Sequence, residues 1–408
     1  MLSIDEQLKS YVELSDDAAE LILRRELSER EKQTILRLTS MIRNNYKQQI
    51  DPRELRCLTS KIIEERESAF SELDKEFLRF SLEFALRGYA HKDRKNGSPY
   101  FVHPYRVAKL LGWIPAGYVS IIGGLLHDWV EEREDLDRPA KNRWDQWFKE
   151  LIIQFRVEYR LFSDSLFDKK GYIDLKFEEG LETSCEVIAR MTRRPHEKET
   201  YFLYLNELLG IGQSKRKMNN ATRDSIGRSA NVKLMDRIDN YIDLYNSIIN
   251  EEGRFTVGHV NYSAFKNMYY WNLVEFKLKK MSEDNKHSAQ FQRLRQVNEL
   301  LRQISSYVLH GIVRYYDNKD LISKTEREGI KKKVLEYIST ADATRINPPE
   351  EGHEFEGTVT GVYLPRFKGE KIAYGERSFA LQYRDAYLFG EYFRQEVFIP
   401  SLLGIKKL

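Results

Sequence analysis

The sequence predicts a mainly α-helical protein that ends in a small β-rich unit, and three patterns carry that expectation. Apolar residues recur at three- and four-residue spacing through charged stretches, as at Ile35, Leu38 and Ile42 and at Phe77, Phe80 and Phe84, the spacing of amphipathic helices. Asn347-Pro348-Pro349-Glu350-Glu351-Gly352 is a cluster of breakers that should end the helices. Beyond it Phe355, Val359 and Tyr363, then Phe379, Leu381 and Tyr383, occupy period-two positions with turn residues at Gly369 and Gly375-Glu376, as strands require.

In chain order, residues 1–75 read as a charged, helical N-terminal extension. From Phe77 to His91 the face formed by Phe77, Phe80, Phe84 and Gly88 is widened by Leu78, Leu82, Ala85 and Tyr89, so burial on most sides is expected. The apolar run Ile114–Leu126 is interrupted by Pro115, Gly117, Gly123 and Gly124 and belongs in a core. Residues 139–180 read as an insertion, with Asp164–Gly180 a loop or irregular stretch. After a break at Glu251-Glu252-Gly253, residues 251–346 look helical again, and 347–408 form the β-rich unit.

Composition sets bounds. The 408 residues suffice for two or three domains. With 66 basic and 63 acidic residues the formal charge is +3, so no global field points to nucleic acid or a membrane. Cys57 and Cys185 lack metal or redox spacing and cannot make a disulfide framework. The N-terminus lacks a signal-peptide pattern, and no run approaches the ~18 apolar residues of a membrane span. A cytoplasmic setting is expected.

The chemistry concentrates at His103, at His127-Asp128 and at Asp236. Two imidazoles and two carboxylates suit one divalent ion of borderline hardness, such as manganese, iron or zinc. His103 precedes Pro104, which should place it where a loop becomes a helix. His127-Asp128 ends an apolar run, which predicts two ligands inside a buried helix, and Asp236 lies in a second helical segment. Residues four apart share a helical face, so Glu131 should lie near His127 and Glu132 near Asp128. A divalent ion lowers the pKa of its water and a nearby carboxylate can take the proton. Arg94-Lys95-Asn96-Gly97 is a compact basic loop of the kind that grips phosphate.

The runs Ala90–Pro104, Leu125–Glu132 and Lys233–Asn240 resemble the HD superfamily of metal-dependent phosphohydrolases. More narrowly, they resemble the hydrolase domain of RelA/SpoT-type proteins and the stand-alone alarmone hydrolases, which remove the 3′-pyrophosphate from (p)ppGpp. The resemblance covers residues 75–250 and implies an HD hydrolase domain over 76–250. It implies manganese or a similar ion held by His103, His127, Asp128 and Asp236, and an acidic catalytic pair at Glu131 and Glu132, where the family usually has Glu-Asp. It implies nucleotide contacts from Arg94, Lys95 and Asn240. Asp239 stands where the family commonly has His, and Asp243 where Thr is frequent, which makes the pocket more acidic than the resemblance leads one to expect. No synthetase-like signature is found. The cyclic-dinucleotide phosphodiesterases carry a Gly-Tyr-Pro signature after their His-Asp pair, and the dNTP triphosphohydrolases carry further His residues there; neither occurs here.

Each residue has a plainer reading. His103 before Pro104 suits a cap, Glu131 and Glu132 suit a solvated helix end, Arg94-Lys95 suits an exposed turn, and Met235, Ile238, Ile242 and Tyr245 suit a core stripe. The His127-Asp128 pair by itself suits a buried hydrogen-bonded pair; imidazole and carboxylate are costly on an apolar helix unless satisfied, and metal binding satisfies both. The expected function is metal-dependent hydrolysis of a phosphoester or pyrophosphate ester on a nucleotide, with (p)ppGpp leading. The alternatives are another nucleotide substrate, or a nucleotide-sensing regulatory protein whose flanking regions contact a protein partner or a second copy.

Overall fold

The computed structural model describes residues 26–45, 49–94, 96–114, 116–132, 144–167, 175–192, 201–210 and 220–249, and single positions between 267 and 304. Within the unit Arg25–Asp236 the first helices start on side-chain caps. For α1 (Glu29–Asn44), Ser28 Oγ accepts from the Glu31 N–H at 3.3 Å, and Glu31 Oε2 accepts from the Ser28 N–H at 2.8 Å. This reciprocal pair satisfies two orphan donors. α2 (Pro52–Ile63) opens on Asp51, whose carboxylate accepts from the Arg53 N–H, with Pro52 in the first turn. After a 3-10 segment at Glu64–Ala69, α3 (Glu72–Tyr89) repeats the reciprocal cap with Ser71 and Asp74. The stripes that predicted these helices are buried: Ile35, Leu38 and Ile42 on α1, and Phe77, Leu78, Leu82 and Phe84 on α3.

α4 (Val102–Trp113) and α5 (Tyr118–Leu126) follow. Every residue of α5 from Val119 onward is buried, because α3, α4 and α7 (Leu175–Met191) all pack on it. Two adjacent glycines allow that closeness. A Cβ on Gly123 would stand 2.5 Å from Val187 Cγ1 of α7, and one on Gly124 would stand 2.6 Å from Leu111 Cδ1 of α4. α6 (Trp144–Phe167) packs on α3 through rings: Phe77 stacks on Tyr159 at 4.8 Å, and Phe84 meets Phe155 edge-on at 5.2 Å. α8 (Tyr201–Leu208) and α9 (Asn220–Ile249) complete the described helices.

Residues 26–75, expected as an extension, supply helices that pack on α3 and α4 inside this same unit. The irregular stretch expected over Asp164–Gly180 is corrected at its two ends, where α6 runs to Phe167 and α7 begins at Leu175; residues 168–174 lie outside the described residues. Gly180, the last residue of that expected stretch, lies inside α7, and a side chain there would run into the Tyr118 hydroxyl of α5. The mainly α expectation holds across the described residues. No strand occurs among them, and their isolated bridge joins Asp93 to Pro99. The β-rich unit expected over 347–408 lies outside the described residues.

The second unit takes the chain from Arg237 onward. Its described positions are helical and bury Tyr241, Tyr270, Val274 and Leu301, while Arg237 Nε donates to Asn267 Oδ1 at 2.6 Å. Among the described residues, no helix is long and apolar enough to cross a membrane.

Candidate metal centre

The loop after α3 is held by its own backbone and by α1. The Tyr100 N–H donates to the Lys92 carbonyl at 2.9 Å, and the Arg94 N–H to the Ser98 carbonyl at 2.8 Å. Gly97 adopts φ +83° at the tip, a value that suits glycine. Asn96 Oδ1 accepts from the Ser98 N–H at 3.2 Å and from its hydroxyl at 2.7 Å. Arg43 of α1 then clamps the loop. Its guanidinium donates to the Ala90 carbonyl, to the Lys92 carbonyl at 3.2 Å and to Asp93 Oδ1 at 2.6 Å.

The loop delivers His103 in the first turn of α4, as its position before Pro104 predicts. His127 and Asp128, expected inside a helix, instead follow its last residue, Leu126. The Gly124 carbonyl, which would accept from the Asp128 N–H in a continued helix, lies 2.9 Å from His127 Nδ1. A carbonyl only accepts, so Nδ1 carries the proton and the Nε2 lone pair is left facing inward. The Glu132 N–H still donates to the Asp128 carbonyl at 3.0 Å.

Four side chains from three segments converge. His103 Nε2 lies 3.1 Å from His127 Nε2 and 3.3 Å from Asp236 Oδ1, and His127 Nε2 lies 3.5 Å from that oxygen. Asp128 Oδ2 is 3.2 Å from His127 Nε2 and 3.6 Å from His103 Nε2. Donor atoms bound at about 2.0–2.2 Å around one ion stand about 3.0–3.5 Å apart, so His103, His127 and Asp236 fit a divalent cation, with Asp128 beside them. His103, His127 and Asp236 are buried, with ligand atoms mutually within 4.8 Å. The electrostatics agree. Burial opposes charge on His127, yet Asp128 and Asp236 outweigh it and push the imidazole up to about 10. Burial also opposes ionisation of the two carboxyls, but His127 beside Asp128 and Lys233 beside Asp236 hold both well below the usual carboxylate range. Without an ion the His127 imidazolium supplies the positive charge that the two carboxylates favour; a divalent cation would displace its Nε2 proton and take over that role.

Around this centre, Lys233 Nζ pairs with Asp236 Oδ2 at 2.8 Å from one turn earlier on α9 and lies 5.5 Å from the Tyr204 ring centroid. The Tyr100 hydroxyl donates to Asp128 Oδ2 at 2.7 Å. Glu132 is paired with Lys92, and Glu131 is half-buried. Arg94 is half-buried, its guanidinium carbon 5.8 Å from the Tyr100 ring centroid. Lys95 lies outside the described residues. Asn240, Asp239 and Asp243 belong to the second unit, where both aspartates are buried. Sequence reasoning did not single out Arg43, Lys92, Tyr100 or Lys233. Only Lys233 carried a local signal, its i, i+3 spacing from Asp236.

Comparison with known proteins points one way, over short stretches. The chain is 39% identical over 57 residues, 14% of its length, to 6% of a chloroplastic protein of Arabidopsis thaliana named a GTP diphosphokinase (RSH1). It is 26% identical over 159 residues, 35% of its length, to 23% of the guanosine-3′,5′-bis(diphosphate) 3′-pyrophosphohydrolase of Aquifex aeolicus. It is 36% identical over 59 residues, 14% of its length, to 8% of the GTP pyrophosphokinase of Myxococcus xanthus. The relatives are RelA/SpoT-type proteins. The chain spans less than a quarter of the length of each. No family model matches, and no solved structure matches.

Proposed function

We propose that this protein is a metal-dependent nucleotide phosphohydrolase that removes pyrophosphate from the 3′ position of a (p)ppGpp-type guanosine nucleotide. The observation that carries this reading is the buried convergence of His103, His127 and Asp236 at separations suited to one divalent ion, with Asp128 Oδ2 3.2 Å from His127 Nε2 beside them. The similarity to a 3′-pyrophosphohydrolase of Aquifex aeolicus supports the substrate class.

When bound, a divalent ion such as manganese supplies Lewis-acid polarisation of a phosphoryl oxygen and acidifies water. The chain's own residues do the rest. Glu131 or Glu132 takes the proton of the attacking water, whose oxygen forms a bond to the phosphorus next to O3′. The P–O3′ bond breaks, pyrophosphate leaves, and the proton taken from the water is passed on to O3′, which ends as a hydroxyl. Glu132 shares its charge with Lys92, so proton transfer to it is coupled to where that ammonium sits. Arg94, with Lys95 and Asn240, grips the nucleotide, and the guanidinium suits bidentate phosphate contact. A second reading, another nucleotide as substrate, rests on the sequence: Asp239 and Asp243 stand where the resembled family commonly has His and Thr.

Chromatography of products decides between them. Purified protein with manganese is incubated with ppGpp and with a panel of ordinary and cyclic nucleotides, beside Asp128→Asn. Conversion of ppGpp to GDP and pyrophosphate, lost in the variant, is the expected result. Turnover of a different nucleotide keeps the metal reading and replaces the substrate. Tight binding without turnover would make the protein a sensor.

A further inference from the structure

Tyr100 touches both halves of the site and has no part in the chemistry above. Its hydroxyl donates to Asp128 Oδ2 at 2.7 Å, the same oxygen that faces both imidazoles. A carboxylate oxygen offers two in-plane lone pairs, so one can receive the hydroxyl while the other stays directed at the centre. The ring is wedged in place. The fully buried Tyr89 stacks on it with centroids 5.4 Å apart, and the Lys92 ammonium and Arg94 guanidinium lie 5.5 and 5.8 Å from its centroid. Ring faces attract cations at such distances. Asp236 is oriented by an ammonium, that of Lys233, whereas Asp128 is oriented by this neutral hydroxyl.

We propose that Tyr100 is a positioning residue with two functions: its hydroxyl aims Asp128 at the metal centre, and its ring sets where the Lys92 ammonium and the Arg94 guanidinium stand. Metal affinity and phosphate grip are thereby joined in one side chain. The inference rests on the metal reading above. Partners of metal ligands fix the ligand's orientation and basicity, and losing one typically lowers metal affinity about 10–100-fold. Phenylalanine keeps the ring and deletes the hydroxyl, so the two functions can be separated.

The test uses the full chain stripped of metal, titrated calorimetrically with manganese and, separately, with inorganic pyrophosphate. Electron paramagnetic resonance of the manganese reports its surroundings. Tyr100→Phe is expected to bind manganese about 10–100-fold more weakly, with an altered spectrum and unchanged pyrophosphate affinity. Tyr100→Leu is expected to lose affinity for both. In an Asp128→Asn background Tyr100→Phe should cost little more, since the hydroxyl acts through that carboxylate. Manganese binding by Tyr100→Phe equal to wild type would overturn the proposal, and so would an undiminished loss in the Asp128→Asn background. Failure of the underlying reading looks different: wild type would bind manganese no better than His127→Ala, which removes the basis of this proposal as well.

Discussion

The Nε2 atoms of His103 and His127 stand 3.1 Å apart, with both side chains buried. Metal-free, that approach is compatible with one proton on the pair; with a divalent ion present, both lone pairs have a better acceptor. Manganese should therefore stabilise the fold by mass action, by about 2.7 kcal/mol at a hundredfold excess over its dissociation constant. Thermal melts in chelator and in manganese measure this. The increment should vanish in His127→Ala, and a wild-type melting temperature indifferent to manganese would refute it.

Lys233 and Asp236 form a buried pair one turn apart on α9. Lys233→Met leaves the carboxylate without its ammonium, and breaking such a pair costs about 3–5 kcal/mol. Urea denaturation of the metal-free variant should show that loss. Manganese should restore part of it, because a cation then returns beside Asp236. An unchanged unfolding midpoint would show that the pair holds nothing.

Gly112 sits where α4 crosses α2, and a Cβ there would collide with the Ile62 carbonyl oxygen. Alanine in a helix is worth about 1 kcal/mol over glycine, whereas overpacking a core costs about 1–3 kcal/mol. The backbone carbonyl cannot swing away, so overpacking wins and Gly112→Ala should destabilise. A denaturation midpoint above wild type would reverse that ranking.

Glu31 caps α1 and reaches Lys109 Nζ at 2.9 Å and the Tyr105 hydroxyl at 3.1 Å. Burial raises its pKa, but Ser28 and Lys109 outweigh burial and hold the carboxyl below its ordinary 4.5. A depressed carboxyl binds its proton more readily in the unfolded chain, so its contribution is present above 4.5 and disappears as pH falls through the folded value. Glu31→Gln should flatten the stability–pH curve in that acid window. At neutral pH the variant should also be weaker, because Lys109 is buried beside it. An unchanged acid limb measured by denaturant midpoints would count against the assignment.

The helices and the core of the site were legible in the sequence for different reasons. Ile35, Leu38 and Ile42 announce a helix because burial selects their spacing directly. His103, His127, Asp128 and Asp236 stand out because their side chains are expensive in apolar surroundings and so need a purpose. What stayed hidden depends on tertiary contact. A ring nitrogen meets the Gly124 carbonyl where the helix stops after Leu126, and the glycine at 180 answers to Tyr118, which leaves no room for a side chain. Tyr100 reads as one aromatic among many until its hydroxyl is seen on Asp128.

The Arg43 clamp bears on how this protein can be dissected. The guanidinium that fixes the loop lies 47–50 residues ahead of the carbonyls and carboxylate it holds. Cutting the chain at residue 75, where the recognisable motifs begin, would keep His103, His127, Asp128 and Asp236 and discard the brace behind them. A fragment so trimmed would be a poor stand-in for the whole, and an inactive one would say more about the scissors than about the site.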